Sequence, residues 1–379
     1  MSSVPDPTSV GSPAAPPGRG TPPRNNFDLL RFVFAFMVVL SHSYMLSGEA
    51  PLAILAKVVS TLLAVKGFFI VSGYLIFMSH DNSRSLSDYA GKRIRRIYPA
   101  YAAVVLGCVV LGAFLTTLPL GIYFSSGVGR YLAANLTFLN TLGPTLPGVF
   151  AGHPTTQVNS ALWTLKVEAM FYVSVPVIAW ICRRLGRGRT FLALYALSAT
   201  YVIVLGIYAR RTGDPRLLQL QNQLPGQLAY FVSGAAGYYY GPMLARRWAA
   251  LAAGSVAAFG LMWAVPSEPV SAILEPAAIA GLVLWAALGI RHLGNFGRFG
   301  DFSYGVYIIH CPVIQTLVHL GLFRQNPWAA FGVAVVLVLG LAVLCWHFVE
   351  KPFLKKTSHY VQADASARSG ERACPSDAN

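Results

Sequence analysis

Ten apolar segments alternate with short polar stretches along the chain, at residues 27–47, 53–79, 97–118, 160–181, 190–209, 222–244, 248–265, 270–290, 302–322 and 328–349. A helix needs about 20 apolar residues to cross a bilayer core of about 30 Å. The pattern predicts an all-α integral membrane protein with about ten transmembrane helices, forming one membrane domain over 26–354. The longest connection, 119–159, holds Gly, Pro and aromatic residues, and 131–141 within it reads as a short or re-entrant helix. Residues 1–25 are rich in Pro, Gly and Ser and lack an apolar core. They read as a disordered tail, not a signal peptide. Residues 355–379 read as disordered for the same reason.

Loop charge orients the segments. One set of loops carries Arg84, Lys92, Arg93, Arg95, Arg96, Arg183, Arg184, Arg187, Arg189, Arg246, Arg247, Arg291, Arg298, Lys351, Lys355 and Lys356. The other set carries Arg130, Arg210, Arg211, Arg216 and Arg324. Sixteen against five places the first set, and with it both termini, in the cytoplasm.

Composition agrees with a polytopic membrane protein. Of 379 residues, 55% are hydrophobic and only 11% charged, and the mean hydropathy is +0.54. Soluble proteins carry roughly 25% charged residues. The formal net charge of +15 does not argue for nucleic acid, because the basic residues sit in short loops between apolar segments. Cys108, Cys182, Cys311, Cys345 and Cys374 show no metal-type spacing. They read as free thiols, and no metal site is expected.

Ionisable residues inside membrane segments are costly and default to a functional reading. Arg31 and His42 both lie in the first segment. Eleven residues of helix turn through about 1100°, so the two share a face, about 16 Å apart along the axis. That spacing suits a charge that anchors one end of a long ligand and a base that works at the other. Helix rise puts Glu168, in the fourth segment, at a depth similar to that of His42. Lys66 near the midplane needs a partner or a water-filled cavity. Arg93 and Arg96 are i,i+3 neighbours, and they read either as membrane anchors or as a guanidinium fork for phosphate. Gly67-Phe68-Phe69-Ile70-Val71-Ser72-Gly73-Tyr74 permits close approach by another helix or by a slender ligand. His310 reads equally as a ligand-site residue or as a helix–helix hydrogen bond. Asp28, three residues before Arg31, is expected to pair with it. Glu350 is given a structural role beside the helix-ending Pro352.

Taken together, these pieces resemble the acyltransferase type 3 family of integral-membrane O-acyltransferases. The resemblance rests on Arg31 with His42, the 67–74 segment, Arg93 and Arg96 before Tyr98-Pro99, Trp163–Tyr172 with Glu168, Ser303-Tyr304-Gly305 with His310, and Glu350-Lys351-Pro352. They occur in the family's order from about residue 26 to 354. One departure is Lys166, where members commonly have a small or uncharged residue.

The resemblance implies acyl transfer from cytoplasmic acyl-CoA, usually acetyl-CoA, to a hydroxyl, typically of a sugar. On this basis Arg93, Arg95 and Arg96 are expected to hold the CoA phosphates. Arg31, Lys66 and Ser72 are expected along the pantetheine arm. His42 is the expected general base, with Glu168 orienting its imidazole, and Trp163, Tyr304 and His310 are expected to meet the acceptor. The implied setting is the bacterial cytoplasmic (inner) membrane. Implied partners are membrane lipid, acetyl-CoA, a glycan or glycolipid acceptor such as an exopolysaccharide, O-antigen or lipid-linked glycan, and proteins of polysaccharide biosynthesis. Two other readings stay open from the residues: acylation of a small molecule such as a macrolide, and a secondary transporter or flippase that uses the same charges as a proton relay.

Overall fold

A computed structural model describes residues 25–355 other than 245 and 295. Apart from Asn25 and Lys355, the two expected tails, at 1–25 and 355–379, lie outside the described residues, as does Cys374. No strand occurs among the described residues. Ten helices of 17 residues or more coincide with the ten apolar segments. They are α1 (Phe27–Ser47), α2 (Thr61–Asp81), α3 (Leu86–Leu115), α4 (Leu162–Leu185), α5 (Arg187–Thr212), α6 (Leu224–Leu244), α7 (Trp248–Ala264), α8 (Glu268–Leu284), α9 (Ser303–His319) and α10 (Pro327–Cys345). Seven of these, α1–α5, α8 and α10, are long and apolar enough to cross a membrane. The Gly- and Tyr-rich α6 and the 17-residue α7 and α9 do not reach that measure. The protein is a multi-pass membrane protein.

Local chemistry sets the helix ends. Ser60 caps α2 by accepting from the Leu63 N–H, and Ser85 caps α3 by accepting from the Asp88 N–H. Each satisfies one of the donors a helix start leaves open. Gly48 ends α1 in the left-handed region at φ 71° and returns its N–H to the Tyr44 carbonyl. A side chain is rarely tolerated there.

Two packing relationships position everything that follows. The most extensive helix contact is α2 on α6. It depends on a reciprocal pair of glycines. A Cβ on Gly73 would stand 1.9 Å from the Phe231 carbonyl oxygen, and one on Gly234 would stand 1.9 Å from that of Ile70. Backbone therefore touches backbone, the usual route to tight helix association in lipid. Thus Gly73 of the 67–74 segment serves helix packing, while Ser72 beside it faces a cavity.

The second relationship is α9 against α1, α3 and α10. Helix α9 is buried on almost every side, so it meets protein in place of lipid. Pro312 interrupts it. Having no N–H, Pro312 cannot bond the carbonyl of Ile308, four residues earlier. The Asn159 side chain supplies the donor instead, at 2.8 Å. Gln315 likewise donates to the carbonyls of Thr155 and Gln157 and accepts from His153 at 2.6 Å. These bonds fasten the long connection between α3 and α4 onto α9. Within that connection are short helices at Leu120–Ser125 and Val128–Leu136, the latter overlapping the short helix expected at 131–141.

Candidate active site

Four helices and one loop converge on a buried cluster of charge. Arg31 from α1 and Arg96 from α3 both pair with Asp301, which sits just before α9. Arg96 also reaches Glu350, in the last turn beyond α10, at 2.8 Å. Asp301 and Glu350 are almost fully buried. Two cations balance two carboxylates, which is the condition for keeping such charge away from water. Ser303 donates to Asp301 through both its N–H and its hydroxyl. Arg31 thus takes Asp301 as its ion-pair partner, across 270 residues of sequence. Asp301 is the residue that sequence reasoning missed. It lies in a short loop outside any apolar segment, and only the fold brings it between two arginines.

Above this cluster lies a narrow cavity of about 60 Å³, lined by Arg31, Phe68, Ser72, Arg96, Thr164, Glu168, Tyr304 and Tyr307 among others. Below it, toward the end of the bundle where α1 begins and α2 ends, lies a wider cavity of about 500 Å³. Its walls carry Lys92, Arg93, Arg95, Arg96, Ser79 and Lys355. Arg31, Ser72, Arg96, Glu168 and Tyr172 line both, so the two cavities abut. Arg93 is partly engaged, donating to Ser79 at 3.0 Å and lying over the Tyr172 ring. Arg95 is exposed and makes no ion pair among the described residues.

Beyond the narrow cavity, Tyr307 packs edge-on against His310 and hydrogen-bonds Thr164. His310 is fully buried. His310 Nδ1 lies 2.6 Å from the Tyr307 carbonyl, so it carries a proton and donates it. Its Nε2 therefore offers a lone pair when the ring is neutral. That lone pair faces His42 Nδ1 at 2.7 Å. His42 Nδ1 must then be the donor, which leaves His42 Nε2 as the basic nitrogen. A buried imidazole thus fixes the tautomer and orientation of a partly exposed one. An aspartate does this work in hydrolase triads.

The expected residues fall into distinct places. Arg31, Ser72, Arg93, Arg95, Arg96, Glu168 and Tyr304 meet around the two adjoining cavities. His42 and His310 form their own pair just beyond. Glu168 does not stand as the partner of His42: it accepts from Tyr172, on its own helix, at 2.7 Å, and the imidazole partner is His310. Equal depth along two helices did not make them neighbours, because α9 brings His310 to His42. Lys66 points to the other side of α2. There it pairs with Glu275 at 2.7 Å, with Tyr230 bonding the same carboxylate, in a separate cavity. Trp163 packs against the apolar core and lines neither of the two adjoining cavities. Tyr304 lines the narrow cavity while its hydroxyl is held by the Ile97 carbonyl at 3.0 Å.

Within a bundle of membrane helices, a wide basic cavity thus adjoins a narrow one, whose Tyr307 wall packs on the buried histidine of a histidine pair. The chain belongs to the acyltransferase type 3 family: the family's model, an acyltransferase domain, matches residues 24–347. The nodulation protein 10 of Rhizobium leguminosarum bv. viciae is 29% identical over 360 residues, covering 88% of this chain and 94% of that protein. An O-acetyl transferase of Shigella phage Sf6 is 28% identical over 368 residues, covering 90% and 99%. The acyltransferase MdmB of Streptomyces mycarofaciens is 24% identical over 329 residues, covering 77% and 81%. No solved structure matches the chain. The protein is an acyltransferase.

Proposed function

We propose that the protein transfers an acyl group, acetyl in the first instance, from acyl-CoA to a hydroxyl of a surface glycan or its lipid-linked precursor. The observation that carries this reading is the pair of adjoining cavities. One is wide and basic, the other narrow, and the walls of the narrow one include the Tyr307 ring that packs on His310. A CoA donor has this form, a polyanionic nucleotide head on a slender arm. Arg95, with Arg93 and Lys92, takes the phosphates. Arg96 and Arg31 are engaged by Asp301, so they shape the passage and present partial charge to the arm. Ser72 and Glu168 offer hydrogen bonds to the arm's amides as it passes.

At the far end, His42 Nε2 takes the proton of the acceptor hydroxyl as that oxygen attacks the thioester carbon. The C–S bond breaks, and the CoA thiolate recovers the proton from the imidazolium. His310 holds His42 in the productive tautomer and shares its positive charge. In this reading the expected base stands, and the orienting role passes from Glu168 to His310.

The topology that fits has ten spans with both termini in the cytoplasm, in the bacterial cytoplasmic membrane. The basic cavity then opens to the cytoplasm, where acyl-CoA is made. Transfer of acetyl to a hydroxyl is supported by the O-acetyl transferase among the relatives. The test is release of CoA thiol from acetyl-CoA by the purified protein in nanodiscs, with and without a glycan extract. Release that depends on the extract supports the reading. Folded protein that neither binds nor turns over acetyl-CoA contradicts it and points to a different acyl donor.

A further inference from the structure

Three electron-pair donors meet behind the site. His42 Nδ1 and His310 Nε2 are 2.7 Å apart, Cys311 Sγ is 3.2 Å from His310 Nε2, and it is 3.6 Å from His42 Nδ1. A triangle with these edges has a centre about 1.9 Å from all three atoms, just inside the bonds of about 2.0–2.3 Å that zinc makes to His nitrogen and Cys sulfur. An ion slightly out of the plane reaches all three with little movement. His310 also has the supporting contact of a metal-bound histidine, since its other ring nitrogen donates to a backbone carbonyl. Ser160 Oγ, 3.4 Å from the sulfur, is placed to hydrogen-bond a thiolate. His42 is partly exposed while His310 and Cys311 are fully buried, so an ion enters past His42.

We propose that His42, His310 and Cys311 form a binding site for a borderline-soft divalent ion, zinc being the best match, and that its occupancy switches the enzyme off. Two imidazoles and one thiolate select zinc over magnesium or calcium. A water fills the fourth position. Binding releases the Cys311 thiol proton. It also forces the His42 proton from Nδ1 to Nε2, because Nδ1 must give its lone pair to the ion. His42 Nε2 is then a donor and can no longer take a proton from an acceptor hydroxyl. Sequence spacing hides this site, since its ligands come from α1 and α9, 268 residues apart. The binding claim stands on the geometry alone, whereas the inhibition claim rests on the function proposed above.

The test uses full-length protein in nanodiscs with any purification tag removed and metal stripped by a chelator. Cobalt(II) replaces zinc as the spectroscopic probe. The expected result is one cobalt ion per chain at this site, with the near-ultraviolet thiolate charge-transfer band and the visible bands of a tetrahedral complex. Zinc displaces it. Cys311→Ser loses the thiolate band, keeps its metal-free acyl transfer, and needs at least tenfold more zinc for half-inhibition. A wild-type protein with no thiolate band, or an unchanged band in both Cys311→Ser and Cys311→Ala, overturns the site. A thiolate band without zinc inhibition in an active enzyme overturns the switch. A thiolate band in a protein with no acyl transfer keeps the site and counts against the proposed function instead.

Discussion

His42 Nδ1 lies 2.7 Å from His310 Nε2, and the Tyr307 carbonyl holds the far side of the His310 ring at 2.6 Å. With His310 neutral, this chain of two bonds assigns the protons. Removing His310 should leave His42 free to rotate and to change tautomer. His310→Ala is therefore expected to lower kcat by about 100-fold, the lower end of what general-base catalysis contributes, with KM for acyl-CoA little changed. His310→Gln keeps an acceptor for the His42 N–H and should retain more activity. Equal losses in the two variants would show that His310 acts through packing alone.

Arg95 is an exposed guanidinium of the basic cavity that makes no ion pair among the described residues. Its truncation should weaken donor binding without touching the fold. Arg95→Ala is expected to raise KM for acyl-CoA severalfold and to leave kcat and thermal stability near wild type, the pattern of lost ground-state binding. The wild-type KM should also rise with salt more steeply than that of the variant. A pure kcat effect would remove Arg95 from the donor site.

Asp301 lies between Arg31 and Arg96. Taking it away leaves two half-buried guanidiniums short of charge, and breaking a buried pair costs up to about 3–5 kcal/mol. Asp301→Ala should melt well below wild type in detergent or fail to accumulate in membranes. The double variant Asp301→Ala with Arg96→Met should recover part of the loss. A single variant as stable as wild type would mean that the cluster is solvated.

Gly73 and Gly234 let α2 and α6 touch backbone to backbone. Gly73→Val should abolish accumulation of folded protein, because the obstacle is a carbonyl oxygen that cannot rotate aside. Gly91, whose Cβ would meet nothing within 4 Å, should accept Ala with no measurable effect. Size-exclusion profiles of the two variants would separate these outcomes.

Much of the architecture was legible because membrane segments announce themselves by composition and length. All ten apolar segments became helices, and Arg31, Ser72, Arg96 and Glu168 came together around one passage. What escaped was tertiary. Asp301 belongs to no segment, and nothing local marks it as the partner of two arginines. Helix rise gives the depth of Glu168 but not its azimuth, and the side chain that meets His42 comes from α9 instead. Lys66 near the midplane needs a partner or a water-filled cavity, but nothing local names the partner, Glu275, which lies in α8, 209 residues away. Periodicity assigns a residue to a face of its own helix, and the neighbour of that face is decided by packing.

The central claim is that His42 removes the acceptor proton while the donor is held elsewhere. The most direct measurement is acetyl transfer from acetyl-CoA to a glycan acceptor in nanodiscs, wild type beside His42→Ala, with acetyl-CoA affinity measured on the same samples. The account predicts transfer reduced by at least about 100-fold with acetyl-CoA binding intact. Normal transfer by folded His42→Ala would contradict it.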